Sequence, residues 1–179
     1  MKIIKSITVL ASVVLFTMFS VPVLAQQNPK LSDAEVASIA VTANQIDINY
    51  AGIAKEKSKN ADVLKFAETM ASDHKAIIAQ AAALVKKLGV TPKNNAVSEK
   101  LLADAKKRIK MLHSESGQSF DMEYIDNEVA YHKAVISTVE NLLIPETDNK
   151  ELKDLLQNVV PALKTHLEHA IMVQNKIEK

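Results

Sequence analysis

Residues 60–89 read NADVLKFAETMASDHKAIIAQAAALVKKLG, a stretch in which apolar positions recur every three or four residues. This spacing places them on one face of an α-helix. Asn60 can cap the start of that helix, and Gly89 suits its end because glycine readily adopts a left-handed backbone. The stretch therefore predicts a helix over about 60–88. Its inward stripe consists of Val63, Phe66, Met70, His74, Ile77, Ala81, Leu84 and Leu88.

The same periodicity predicts further helices on either side of this one. Ser32 and Glu35 have the spacing of a capping box, and Asp148 and Glu151 repeat it before the last apolar stripe. Pro145 is expected to end the helix that precedes this second box. The long helices are predicted over about 33–58, 60–88, 118–143 and 149–177, with a shorter one over 98–113.

These helices predict an all-α domain that spans residues 26–179. The chain has only three glycines and five prolines, and no run of alternating apolar and polar residues typical of a strand. The long connection between the second and third long helices contains the short helix and would let those two run parallel. We therefore expect a ferritin-like four-helix bundle with a helical crossover between helices 2 and 3. The narrow apolar stripes predict no additional internal cavity.

The first 25 residues have the pattern of an export signal. Lys2 and Lys5 precede an apolar run, and Val23-Leu24-Ala25 fits a cleavage site before Gln26. We expect the mature chain to be periplasmic or secreted, with no integral membrane span after the signal is removed. Removal takes two of 22 basic residues and none of the 21 acidic ones, which leaves a formal charge of −1. Such a balance does not indicate nucleic-acid binding.

Three histidines lie on the inward stripes of the predicted helices, each near the middle of its helix. They are His74, His132 and His166, and Glu128 lies one turn before His132. Positions at the centres of packed helices share a level whichever way each helix points. Because the first long helix places Asn44 and Asp47 near that level as well, a polar cluster is expected inside the bundle.

Three imidazoles and a carboxylate are suitable donors for one transition-metal ion: zinc, copper, iron or manganese. We predict His74, Glu128, His132 and His166 as its ligands, with Asn44, Asp47 and His169 as supporting or occasional ligands.

The alternative is that these side chains form a hydrogen-bonded network that only fixes the register of the helices. The protein would then be a non-catalytic stress-associated or interaction protein. The sequence has no cysteine and no glycine-rich phosphate loop, and no nucleophile elbow accompanies its histidines. It therefore favours a role other than catalysis, and it identifies neither a protein partner nor an oligomeric state.

The residues around this cluster resemble those of a known family. They are 39–47, 66–70 with Asp73-His74, 124–132, and 161–163 leading into 166–169. The family is a bacterial exported one, often labelled "predicted outer membrane protein" and known as domain of unknown function 4142. The resemblance covers about residues 31–177 and implies a ferritin-like four-helix fold, but no activity. A di-iron carboxylate site needs Glu-x-x-His pairs, which this sequence lacks, so ferroxidase or oxygenase chemistry is not expected.

Overall fold

The computed structural model describes residues 30–178, and within that range every regular element is helical. The all-α prediction is confirmed. The predicted signal peptide, residues 1–25, lies outside the described residues. The elements are α1 (Asp33–Lys57), α2 (Ala61–Leu88), α3 (Ala96–Ser114), α4 (Gly117–Thr138), a π-helical turn (Val139–Leu143), α5 (Ile144–Glu146) and α6 (Lys150–Ile177).

The ends of α1 and α2 follow the local rules expected from the sequence. The Ser32 side chain accepts a hydrogen bond from the backbone N–H of Glu35, whose carboxylate accepts one from the backbone of Ser32. Asn60 caps α2, and Gly89 ends it with φ of 64°. Both predicted caps and the predicted C-terminal glycine are confirmed.

The predicted capping box at the start of α6 is wrong. The cap is Asn149, whose side chain accepts a hydrogen bond from the backbone N–H of Leu152. Asp148 lies one residue outside, and its own backbone N–H donates to the carboxylate of Asp33 at the start of α1. Because this tertiary contact holds the backbone of Asp148 and Asn149, Asn149 rather than Asp148 takes the N-cap position of α6.

The helix predicted to end before Pro145 continues past it. The backbone N–H of Ile144 donates to the carbonyl of Val139, five residues earlier, which closes a π-helical turn. Pro145 follows this wider turn in a continuous helical backbone, since Leu143 and Ile144 both have α-helical φ and ψ. The structure therefore accommodates the proline with a π-helical turn, and the helix ends at Glu146.

Contacts between helix ends define the direction of the long helices. The Asp33 carboxylate accepts hydrogen bonds from the backbone of Asp148 and Asn149, so α1 and α6 begin at the same end. Lys87 at the end of α2 lies 2.5 Å from Glu151 near the start of α6. These contacts make α2 antiparallel to α6.

At the opposite end, Ser58 after α1 donates a 2.5 Å hydrogen bond to Asp121 near the start of α4. Helices α1 and α6 therefore run in one direction and α2 and α4 in the other. The intervening α3 packs along α1, and Lys57 of α1 donates to the carbonyls of Leu112 and His113 at its end.

The apolar core consists of two clusters with polar side chains between them along each long helix. One cluster surrounds Tyr50, Phe66 and Tyr124, and the other surrounds Ile39 and Leu152. Across the described residues, no helix has the length and apolar character needed to span a membrane.

Candidate metal centre

Every long helix contributes at least one buried polar side chain to the middle of the bundle. Asp47 comes from α1, His74 from α2, Glu128 and His132 from α4, and His166 from α6. Asp47 and Glu128 are fully buried, and the three histidines are at most 4% exposed. The imidazole ring centroids lie 5.2–5.7 Å apart. The shared level expected from the helix midpoints is therefore observed.

One nitrogen of each imidazole is hydrogen-bonded to an oxygen acceptor. His74 Nδ1 lies 2.7 Å from Asn44 Oδ1, and the amide nitrogen of Asn44 donates to the carbonyl of Ala40. His132 Nδ1 lies 3.0 Å from the carbonyl oxygen of Glu128, and His166 Nε2 lies 3.0 Å from Asp73 Oδ2. Because these acceptors need a proton, they fix the tautomer of each ring and leave a lone pair on its other nitrogen.

Those other nitrogens have no hydrogen-bond partner among residues 30–178. They are His74 Nε2, His132 Nε2 and His166 Nδ1. Each of the three histidines offers one ring nitrogen as a ligand atom such that the three chosen atoms lie within 4.8 Å of one another. Bonds of 2.0–2.2 Å to a tetrahedral ion would place such atoms about 3.4 Å apart. Small rotations of the side chains would therefore close the group around one ion.

The two carboxyl groups form a second group that overlaps the first. Asp47 Oδ2 lies 3.3 Å from His74 Nε2 and 3.5 Å from His132 Nε2, and Glu128 Oε2 lies 3.5 Å from His132 Nδ1. Asp47, Glu128 and His132 also offer ligand atoms within 4.8 Å of one another. In the described part of the chain, none of the four carboxyl oxygens has a hydrogen-bond partner. His132 belongs to both groups and is the centre of the site.

Burial determines the protonation of this cluster. It raises the pKa of Asp47 to about 8. It also raises the pKa of Glu128 well above its usual range, and the charge of Asp47 raises it further. Burial lowers the pKa of His74 to about 3, with added repulsion from His132 and His166, and it lowers the pKa of His132 to about 4. At neutral pH Asp47 therefore holds its proton while these two imidazoles are neutral, so its contacts with His74 and His132 are not ion pairs.

Of the four predicted ligands, the structure brings His74, His132 and His166 together in one group and places Glu128 beside His132 in the other. It places Asp47, predicted as a supporting residue, directly within the cluster, and it places Asn44 against His74 as a support. His169 belongs to neither group. Its half-buried ring packs edge-on against Phe66 with centroids 5.1 Å apart, and burial lowers its pKa.

Asp73 is the residue that the sequence interpretation missed. Its carboxylate is about half exposed, at 49%, and it belongs to α2, whereas the imidazole that it orients belongs to α6. The only available signal was its position directly before His74. Because Asp73 lies off the apolar stripe, helical periodicity assigned it to the solvent face.

Comparisons with known proteins identify a family but no characterised relative. A family model described as "Domain of unknown function (DUF4142)" matches residues 20–173. No curated protein and no solved structure matches the chain.

Proposed function

The chain belongs to the family described as Domain of unknown function (DUF4142), and because that description assigns no activity, we propose a function from the site itself: an exported protein that binds a transition-metal ion in the core of its helices. The ligands are His74, His132 and His166 together with Glu128 and Asp47. One observation is decisive for this proposal. Buried side-chain atoms without hydrogen-bond partners come from four helices, and their residues form two groups that share His132, with ligand atoms within 4.8 Å of one another in each group. The pattern of residues 1–25 supports export.

The cost of leaving such atoms without partners supports a ligand. A buried polar group with no hydrogen bond destabilises the fold by about 1–3 kcal/mol. An ion that accepts lone pairs from several of them would remove this cost at once. A divalent ion with Asp47 and Glu128 ionised and neutral imidazoles would also have zero net charge, which suits a dry core.

The hydrogen bonds around the cluster match those that usually orient metal-binding histidines. Imidazoles that bind a metal usually donate their other N–H to a carboxylate or carbonyl, which fixes the orientation of the ring. Asn44, the Glu128 carbonyl and Asp73 supply such acceptors to the three histidines. The mixed nitrogen and oxygen donors suit zinc, copper, iron or manganese.

The second candidate is a non-catalytic stress-associated or interaction protein whose polar core fixes helix register. It is favoured by the same three bonds, since each imidazole already has one partner. A closed network, however, would hold the carboxyl groups in short bonds, whereas Asp47 Oδ2 lies 3.3 Å and 3.5 Å from the two imidazole nitrogens that could accept its proton. The open carboxyl groups therefore favour the metal.

Metal analysis of the purified protein tests the proposal. We expect about one transition-metal ion per chain to remain after dialysis against a mild chelator. Adding Zn²⁺, Cu²⁺, Fe²⁺ or Mn²⁺ to the stripped protein should raise its melting temperature, since a ligand at 100 times its Kd stabilises by about 2.7 kcal/mol. Mg²⁺ prefers oxygen ligands and serves as the control. No retained metal, together with unchanged melting for all four ions, would reject the proposal.

The support of His74 by Asn44 leads to a second prediction. Asn44→Leu removes the oxygen that accepts a hydrogen bond from His74 Nδ1, and it should weaken Zn²⁺ binding by about 10- to 100-fold. Asn44→Asp retains an acceptor and should recover most of the affinity. The matched control is Asn49→Leu, an exposed position on the same helix. Equal affinities for Asn44→Leu and Asn49→Leu would show that this hydrogen bond does not position a ligand.

A further inference from the structure

A cavity of about 360 Å³ lies beside the metal centre, although the sequence predicted none. Asp47, His74 and His132 line its inner part, and mostly apolar side chains from the long helices, α3 and the π-helical turn line the remainder. Its volume falls within the range of about 300–1,000 Å³ typical of small-molecule sites. Representative wall residues are Ala40, Ala81, Val135, Leu143, Leu155 and Val159.

Small side chains on two facing helices explain the space. The lining residues of α1 include Ala40 and Ala43, and those of α4 include Ala130 and Ala134, in each case three or four residues apart on one face. Helix α3 places Ala105 along the same cavity. Ala130 and Ala134 are exposed, so the space is a cleft open to solvent, and a ligand that covers its apolar walls would remove them from water.

The charges around the cavity indicate a neutral occupant. Two charged side chains of α3 line it, and both already have partners: Arg108 pairs with Glu123, and Asp104 pairs with Lys100 and Lys107. At the inner part, Asp47 lines the cavity, and in the proposed metal centre it would balance a divalent ion together with Glu128. A ligand with a charged headgroup would therefore find no unpaired opposite charge at either place.

We propose that the cavity binds an uncharged aliphatic chain with one polar headgroup, of the class of medium-chain alcohols, with its hydroxyl directed to the carboxyl group of Asp47. The apolar walls accept the chain, and the polar inner part accepts the hydroxyl. The inference rests on the proposed function only for the charge balance at that inner part, since the apolar walls do not depend on the metal.

Displacement of the neutral fluorophore 1-aminoanthracene from the metal-loaded full chain tests this. We expect 1-decanol to displace it at concentrations at least tenfold lower than decanoate or decylammonium, which have the same chain length. Failure of 1-decanol to displace the fluorophore, or a preference for either charged compound, would overturn the inference.

Variants that fill the cavity locate the binding site. Ala40→Leu on α1 and Ala81→Leu on α2 add bulk to the lining, and each should weaken 1-decanol binding at least tenfold while the metal content stays unchanged. The matched control is Ala83→Leu, an exposed position on α2 outside the lining, which should bind normally. Unchanged binding in a folded lining variant would contradict the assignment. If the protein retains metal but does not bind 1-decanol, only this inference is rejected. If it binds 1-decanol but retains no metal, only the metal proposal is rejected.

Discussion

Replacing His132 by glutamine is expected to weaken Zn²⁺ binding by more than about 100-fold. Loss of a residue that only orients a ligand weakens metal binding by about 10- to 100-fold, and loss of a direct ligand should have a larger effect. His132 is the only member shared by the two candidate ligand groups found among the described residues, so its loss leaves each of them with two ligands. Glutamine retains much of the volume and a polar end, which limits the change in packing. Competition with a chromophoric chelator would measure the affinity.

Two other histidines serve as matched controls for this variant. His113→Gln changes an exposed residue near the end of α3, and His169→Gln changes the ring that packs against Phe66 outside the cluster. Both should bind Zn²⁺ with an affinity close to that of the parent chain. A His132→Gln protein that retains its helical circular dichroism and full affinity would contradict the assigned site. A large loss in His169→Gln would instead place that residue among the ligands.

The metal-free protein is expected to lose stability as the pH rises from about 6.5 to 8. Burial raises the pKa of Asp47 from 3.8 to about 8, so in this range the folded chain holds a proton that the unfolded chain has released. Each such proton lowers the free energy of unfolding by about 1.4 kcal/mol per pH unit. Glu128 acts in the same direction because its pKa is also raised.

The histidines have the opposite effect in a lower range of pH. The pKa values of His74 and His132 fall from 6.5 to about 3 and about 4, so below 6.5 the unfolded chain binds protons that the folded chain does not. Their contribution to stability is full above pH 6.5 and is lost as the pH falls toward those values. The two effects oppose each other in mildly acidic solution, and only the decline caused by the carboxyl groups remains above pH 6.5.

Urea unfolding in the presence of a strong chelator would measure this decline. Asp47→Asn should make the decline between pH 6.5 and 8 less steep, since the amide does not titrate and only the contribution of Glu128 remains. Bound metal should reverse its sign, because the ion replaces protons and binds more tightly as they are released. A stability of the metal-free chain that is constant or rising over this range would contradict the assigned protonation.

The sequence predicted the height of the site along the helices better than it predicted which residues form the site. A residue at the centre of a helix stays at mid-height whatever the direction of that helix, so His74, His132 and His166 could be placed together from spacing alone. Asp47 lies at the edge of its stripe, and the rotation of α1 about its axis depends on how it packs against its neighbours. Asp73 acts on a different helix, and helical periodicity contains no information about distances between helices.

The other differences have similar physical causes. Asp148 and Asn149 are both good capping residues, and a contact from Asp33, more than 100 residues away in the chain, decides between them. The cavity depends on how far α1 stands from α4, and alanines on a stripe are equally compatible with close packing. Fold class and helix ends depend on local rules, whereas these features depend on tertiary geometry.

The distribution of the ligands over α1, α2, α4 and α6 has a consequence for how the molecule unfolds. Proteins often open in parts, with a terminal helix detaching before the rest. If α1 or α6 detached here, the ion would lose Asp47 or His166 and the opening would also cost binding free energy. Metal would therefore raise the free energy of these partial openings toward that of global unfolding, so that hydrogen exchange in α1 and α6 would approach the slowest rates in the protein.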